Sequence, residues 1–536
     1  MLDRREAQLL PPRQLALATA GVLLAMFLSI FSQTIVAAAM PRIIADLGGF
    51  DRYTWPATAY LVATAIALPI VGRLSDIYGR RVFLILGLVV FTLSSIPAGL
   101  SQSMNQLVAF RLLQGIGGGL IAASTFAAAA DLFPPQGRGR FESYAGLTSG
   151  TAAVAGPLLG GFITDHFAWN WIFFLNVPAG LAVLAIVRSF PKIRSEVEDR
   201  RLDYSGIMTL VLALASLMIG LSWAKDGAAP AAGLVAFGVA VAAVFVFLQS
   251  KSDHPIMPLE NYRNPTVAVS LIVVFLSGFG LYGSLLFIPL FFQVTLGMSA
   301  SGSGSVLAPI VVGLVIGSVI SGQLIARTRG HYRAQAVAGT AILSVGMCLL
   351  STMDSDTSLT SGLVYVFIAG VGTGGTLSTF RLAIQNAVPF RLVGAAISGV
   401  QFCRLLSGTV GLAVLGVVMS RSLSARIDAT LPASIRAALP PGRLDALKSD
   451  PRVLVDQEAA DALAATLEGR GGDGAGMAQS LFDALNTAFS GAVGDVFTIS
   501  AGLAVISIVV AVFLRAPRHA EAGGTLGPDE EGYDAA

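Results

Sequence analysis

Charge is the first thing this sequence has little of. Only 12% of its 536 residues are Asp, Glu, Lys or Arg, while 54% are hydrophobic. A soluble domain carries roughly 25% charged residues, and a chain this apolar has too few polar groups to cover a water-facing surface. The bilayer is the solvent that removes the conflict. Cysteine is nearly absent as well. Cys348 and Cys403 both fall in apolar runs, which argues against a disulfide framework and for two small packed side chains. Histidine is limited to His166, His254, His331 and His519, all in expected loops or tails. No metal cluster, nucleotide-binding loop or catalytic triad appears. The glycine-rich stretches lie inside apolar helices, out of place for phosphate binding. The expectation is no enzyme, no metal and no cofactor. A net charge of +2 offers no basis for nucleic-acid binding.

What is present in abundance is apolar runs of about 20 residues, the length that crosses a bilayer. Fourteen begin near Leu15, Thr54, Val82, Gln106, Phe141, Trp171, Tyr204, Ala231, Thr266, Gly304, Ala334, Ser361, Gly394 and Gly494. The first is too long in its apolar part for a signal peptide and lacks a small-residue cleavage site, so it reads as uncleaved. An even count puts both ends on one side, and basic residues choose the side. One set of connecting segments is arginine-rich, with Arg73, Arg80, Arg81, Arg138, Arg140, Arg188, Arg327, Arg329 and Arg333 among its members. The opposite short loops hold only Arg42, Arg52 and Lys225. Both termini are therefore expected in the cytoplasm. Arginine in excess of lysine, with heavy use of alanine and glycine, points to a bacterial cytoplasmic (inner) membrane.

The chain repeats weakly at an offset of about 250 residues. Gly72-Arg-Leu-Ser-Asp76 closes span 2 and Gly322-Gln-Leu-Ile-Ala326 closes span 10; Gly115 to Gly119 in span 4 parallels Gly370 to Gly375 in span 12. Two related six-span bundles follow, with spans 7 and 8 inserted between them. Parallel repeats of this kind place a substrate site between the halves at mid-membrane. The expected division is an N-terminal bundle over 1–190 and two linker spans over 191–255. A C-terminal bundle follows over 256–515, then a cytoplasmic tail over 516–536. The polar insertion 421–493 is expected on the outer face. It carries short amphipathic helices at Val455 to Leu467 and Met477 to Phe489, and is either a tolerated insertion or a lid or partner-binding cap.

Three arginines, Arg111, Arg381 and Arg404, fall inside spans, and intramembrane charge is functional by default. Arg111, Gln114 and Gly115 share one helical face. A buried arginine there either lowers the proton affinity of a nearby carboxylate, holds an anionic group, or is pinned by backbone carbonyls. Span 2 ends in Gly72-Arg-Leu-Ser-Asp76-Ile-Tyr-Gly79-Arg80-Arg81. Its glycines permit a tight turn and close helix approach, and Asp76 can pair with arginines or cap a helix. This loop resembles the signature of the major facilitator superfamily. Arg111-Leu-Leu-Gln114-Gly115 matches that family's span 4 signature, and Gly156-Pro157-Leu-Leu-Gly160-Gly161 is similar to the core of its exporter signature. Gly146, Gly150, Pro157 and Gly161 are expected to form one small-residue stripe. Trp169-Asn170-Trp171, Asn176-Val-Pro178, Leu202-Asp203-Tyr204 and Gln401-Phe402-Cys-Arg404 resemble the fourteen-span drug:proton antiporter branch. The resemblance implies an all-α membrane protein of the major facilitator fold. It also implies a gate or switch at Gly72, Asp76, Gly79, Arg80, Arg81, Gly156, Pro157, Gly160 and Gly161, and a monomer in the bilayer.

One departure stands out. Where that branch commonly carries an aspartate in span 1, this chain has Ser32, which cannot titrate near neutral pH. Asp76, Asp131, Glu142, Asp165, Asp203 and Asp495 all lie near span ends. Either a boundary carboxylate such as Asp131 or Asp495 reaches inward toward Arg111 or Arg404, or the cavity takes an anionic substrate. Cationic multidrug substrates, which need acidic pocket residues, fit poorly. The central cavity is thus assigned Arg111, Gln114, Asp131 and Arg404. The candidate substrate contacts are Ser32, Gln33, Tyr60, Asn176, Gln293, Gln385, Asn386 and Phe402. The expected function is export of small amphipathic or hydrophobic drugs or metabolites by proton antiport and alternating access. The competing reading is a lipid exporter or flippase with other coupling or none.

Overall fold

The computed structural model describes residues 11–514, apart from 134–137, 189, 192–201, 224–228, 253–254, 258–261, 329–330, 389–392, 440–443, 445–446, 449–456 and 469–473. The tail 516–536 and the basic residues Lys192, Arg194, Arg200 and Arg201 therefore lie outside the described residues. So do the side chains of Asp76 and Asp131, although their backbones are helical.

Among the described residues the fold is all helix. Its long elements are α1 (Pro12–Leu47), α2 (Trp55–Tyr78), α3 (Arg80–Gly99), α4 (Met104–Leu132), α5 (Arg138–His166) and α6 (Trp171–Val187, broken at Leu175). Then come α7 (Tyr204–Trp223) and α8 (Ala229–Lys251), followed by α9 (Pro265–Leu296), the short α10 (Ala300–Ser305), α11 (Ala308–Arg327) and α12 (Tyr332–Ser351). The chain closes with α13 (Leu359–Ala387), α14 (Val393–Thr430), the short α15 (Ala433–Ala438), α16 (Gln457–Glu468) and α17 (Gly474–Ala511). Thirteen of the described spans are long and apolar enough to cross a membrane; Trp171–Val187 is apolar but shorter. The expected fourteenth crossing is thus a broken helix rather than a full-length one.

Two hairpin-rich bundles, α1–α6 and α9–α17, show the repeat in three dimensions. In the first, α4 is wedged between α2 and α3; in the second, α13 is wedged between α11 and α12. Glycine makes both wedges possible, because a missing Cβ lets helix backbones touch. A Cβ on Gly115 would strike the Tyr60 carbonyl of α2, and one on Gly117 would lie 2.6 Å from the Phe91 nitrogen of α3. In the second bundle, Gly370 and Gly374 meet the Ile310 and Leu314 carbonyls of α11, while Gly372 meets the backbone of Leu343 in α12. The matched glycine runs are matched packing devices.

The linker pair α7–α8 packs on itself, and α7 lies against both α2 and α14. Leu210, Leu214 and Phe245 form a small core there with Ile66, Phe402 and Leu406. Asp203 starts α7: its carboxylate accepts from Ser205 Oγ at 2.6 Å, the Gly206 amide at 2.8 Å and Gln249 Nε2 of α8.

The insertion 421–493 is only partly a connection between two spans. Helices α14 and α17, both 38 residues long, extend into it from either end. The expected helix at 477–489 and the expected span start at Gly494 are one element, because Leu481, Leu485, Ala488 and Phe489 keep the apolar stripe of the span running past the boundary. Helix α16 packs on α17, and Leu423, Ile427, Leu431, Ile435, Leu463, Leu481 and Leu485 give this extension a core. We call the side it stands on the cap face and the opposite side, where Pro11 and Leu514 end the described chain, the terminus face.

The core itself is divided unequally. On the cap face, one continuous cluster runs from Ile35 and Phe173 of the first bundle through Phe287, Phe291 and Leu307 of the second. On the terminus face there are two separate clusters, one around Val22, Leu84, Ile121 and Phe141, the other around Val273, Ile325, Phe380 and Ile384. The bundles are joined on the cap face and part toward the terminus face.

Candidate functional site

Helix α4 carries Arg111 two turns from its cap-face end and buries it completely, at 0% exposure. Neutral groups hold the guanidinium. Its Nε donates to the Pro56 carbonyl at 3.2 Å and its Nη1 to Gln114 Oε1 at 2.6 Å. A longer Nη1 contact reaches Ser32 Oγ at 3.5 Å, and the guanidinium carbon stands 4.3 Å over the Tyr60 ring, a cation–π geometry. Gln114 passes the network on, donating to Ser95 Oγ of α3 at 2.7 Å. Asn176 of α6 donates to Ser32 at 3.3 Å, and the Tyr60 hydroxyl lies 2.8 Å from Ser29 Oγ. Ser32, Tyr60, Gln114 and Asn176 are all fully enclosed. Five helices thus converge on one cation, and no carboxylate of a described residue pairs with it. Arg111 Nη2 and Asn176 Oδ1 are buried without hydrogen-bond partners.

Of the two carboxylates expected to reach inward, Asp131 lies outside the described side chains. Asp495 is committed elsewhere: its oxygens take Arg426 Nε and Nη2, each at 2.9 Å, and it also pairs with Ser422. That bidentate pair ties α14 to α17 near the cap face and directs both oxygens of Asp495 at Arg426. Arg404 is half-buried, and its Nε has no hydrogen-bond partner.

The small residues of α5 lie on two faces. Gly156 and Gly160 press on Thr34 and Ile35 of α1, whereas Gly161 meets the backbone of Ala300 and Ser301, and Gly304 meets the Pro157 carbonyl. Gly146 and Gly150 face open space. The split follows from helix geometry: adjacent residues are 100° apart, so 156 and 160 share a side that 161 does not. The second face joins the two bundles. Asp165 completes the seam, its two oxygens accepting the amides of Ala300 and Ser301 at 3.0 and 2.9 Å. Tyr53 adds a hydrogen bond to the Leu286 carbonyl at 2.8 Å, across the same divide. Neither Asp165 nor Tyr53 was assigned a role from sequence. The only signal for Asp165 was an acid at the end of the exporter-like span, and its partners are backbone amides that no motif reveals.

On the terminus face, Gly79 turns α2 directly into α3 with φ 94°, in the region that favours glycine. Gly72 has open space around it, and Arg81 donates to the Arg188 carbonyl at 2.6 Å, fastening the turn to the end of α6. Arg80 is half-buried. The remaining candidates are dispersed. Gln293 bonds Ser303 at 2.7 Å beside the cap-face seam. Asn386 is exposed near the terminus-face end of α13 and donates to Tyr332 at 2.8 Å. Gln33, Gln385 and Phe402 are half-buried. Phe402 packs on the linker-helix core.

The sequence pattern of the Major Facilitator Superfamily matches residues 22–412. The chain belongs to that superfamily. It is 35% identical over 418 residues to the multidrug transporter protein MdtP of Bacillus subtilis, covering 77% of each chain. It is 36% identical over 413 residues to multidrug resistance protein 3 of the same organism, covering 76% of this chain and 80% of the relative. In fold it resembles a bacterial homologue of the human lysosomal transporter Spinster, solved inward-facing and unoccupied. That match has a TM-score of 0.63 at 14% identity, over 94% of this chain and 99% of the other. This superfamily member is a multi-pass membrane transporter, and its similarity runs to drug transporters.

Proposed function

We propose that this transporter exports small amphipathic or hydrophobic molecules, drugs or metabolites, by alternating access, with the terminus face in the cytoplasm. The observation that carries the reading is the division of the core: one cluster joins the bundles on the cap face, while two separate clusters lie apart on the terminus face. With arginine-rich loops on the terminus face, this is an inward-open arrangement. Substrate enters between the bundles from the cytoplasm or inner leaflet. It meets half-buried Gln33, Gln385, Phe402 and Arg404, and leaves when the cap-face seam of Pro157, Gly161 and Asp165 parts. The Gly72–Arg81 loop, with Asp76, is the opposing latch that forms when the terminus face closes. Similarity to the two multidrug relatives supports the drug class.

Proton antiport is the energy source that goes with this reading, and Ser32 at the span 1 position means that its carrier lies elsewhere. The test is reconstitution into proteoliposomes with an internal pH dye and a panel of amphipathic substrates. Substrate-dependent proton movement supports antiport. Transport with no pH change under any gradient rejects the coupling, and no transport of any amphipath rejects the exporter reading. The second reading, movement of lipids or lipid-linked metabolites, draws on the folded cap at 421–493. Unchanged lipid export after deletion of the cap counts against it.

A further inference from the structure

Arg111 brings a full positive charge into a part of the bundle closed to solvent, with no described carboxylate opposite it. Such a charge is costly unless it is paired and fully hydrogen-bonded. The Tyr60 face and the two neutral acceptors, Pro56 and Gln114, offset only part of that cost. The shortfall is visible in the hydrogen bonding. Nη2 has no partner, Nη1 reaches Ser32 only at 3.5 Å, and Asn176 Nδ2 is directed at the same serine oxygen at 3.3 Å. Donors from α4 and α6 thus converge around a serine of α1 that cannot carry the negative charge they would satisfy.

We propose that Arg111, Ser32 and Asn176 form a binding site for a carboxylate. A guanidinium with an open Nη2 is a planar fork that a carboxylate meets with parallel charge-assisted hydrogen bonds. The Asn176 amide and the Ser32 hydroxyl add neutral donors at the side. The carboxylate comes from one of two sources: a small free acid anion, or the head of a transported amphipath whose apolar tail extends toward the cleft. The second source rests on the exporter reading above; the site itself does not. It lies about 10 Å from the cap-face end of α4, seven residues in at 1.5 Å per residue. Because these groups are packed shut here, loading and release accompany the parting of α1, α4 and α6.

The test is thermal unfolding of the purified full-length protein in lipid nanodiscs, read by intrinsic tryptophan fluorescence. Acetate, octanoate, octanol and octyltrimethylammonium are titrated against the wild type, Ser32→Asp and Ser32→Ala. A bound ligand raises the melting temperature in proportion to its occupancy of the folded state. The expected result is stabilisation by carboxylate and not by the alcohol or the cation. Ser32→Asp supplies a resident carboxylate. It should melt higher than wild type without ligand and bind octanoate about ten- to a hundredfold more weakly, the worth of a hydrogen bond to a charged group. Ser32→Ala should retain the response. Saturation by acetate alone identifies a free-anion site; a response to octanoate only identifies the amphipath's head. The proposal is overturned if neither carboxylate stabilises the wild type, if octanol matches octanoate, or if Ser32→Asp responds as the wild type does. Failed transport with intact carboxylate binding would reject the exporter reading and leave the site standing.

Discussion

Gly161→Ala should open the cap face. A Cβ at this position meets the Ser301 Cα and the Ala300 carbonyl and lies 2.6 Å from the Ser301 nitrogen. All three are backbone atoms, so no rotamer change relieves the overlap. Helices α5 and α10 must separate by about 1 Å, and overpacking of this kind costs about 1–3 kcal/mol. Only the conformation with the cap face closed contains this contact. The cost therefore falls on one side of the conformational equilibrium, and the population shifts about 5- to 150-fold toward a cap-open state. Gly146→Ala, on the same helix but in open space, is the control. The assay replaces Cys348 and Cys403 by serine and introduces Thr54→Cys, at a buried position on the cap-face divide beside Gly416. The reaction rate with a bulky maleimide is measured on purified protein. The expected rate rises several-fold or more in Gly161→Ala and stays at the parental value in Gly146→Ala. A rate within about twofold of the parent in a folded Gly161→Ala protein would show that the seam does not hold the cap face shut.

Three further outcomes follow from the packing and the hydrogen bonds. Gln114→Leu removes the 2.6 Å acceptor of Arg111 and the donor to Ser95; it should lower unfolding stability by about 1.5–3 kcal/mol, and a loss under about 0.5 kcal/mol contradicts the network. Gly374→Ala should destabilise by about 1–3 kcal/mol, because its Cβ would enter the Leu314 carbonyl. Its neighbour Gly375→Ala, with nothing nearer than 3.6 Å, should be neutral or stabilising; equal melting temperatures would sink the wedge argument. Burial of Asp203 raises its carboxyl, but hydrogen bonds from Ser205, Gly206, Gln249 and Ser252 outweigh it and hold the group below the usual carboxylate range. Its contribution is therefore fully present above the unfolded value of about 3.9 and fades as pH falls through the lower folded value. Asp203→Ala should cost about 0.5–2 kcal/mol at neutral pH, with the gap from wild type narrowing below about pH 4; a gap unchanged down to pH 3 would refute the assignment.

Much of the site was legible before folding, and the reasons differ from residue to residue. Arg111 stands out because charge in an apolar run is rare and expensive, and Gln114 follows one turn later on the same face. Ser32, Tyr60 and Asn176 were candidates because they are polar or aromatic groups in spans, yet nothing linear says that they meet at Arg111 while Gln293 and Asn386 do not. Those two bond locally, to Ser303 and Tyr332, contacts set by where each helix end lands. Asp495 shows the converse. An acid at a span boundary is by sequence free to reach inward, but α14 is long enough to bring Arg426 beside it.

Residue order alone dictates that this chain lives in a bilayer, that it crosses many times, and that two glycine-marked halves repeat. These follow from apolar run length, from scarcity of charge and from the small residues at which helices can touch. Family membership is legible for the same reason, since its motifs are local. Tertiary structure alone decides which helix each glycine touches, that two spans extend into the ends of the insertion, and that the halves meet on the cap face. It also decides that Arg111 is surrounded by neutral groups. Hydrogen-bond partners and counter-charges come from helices far apart in sequence, and only their packing brings them together or leaves a charge without a mate.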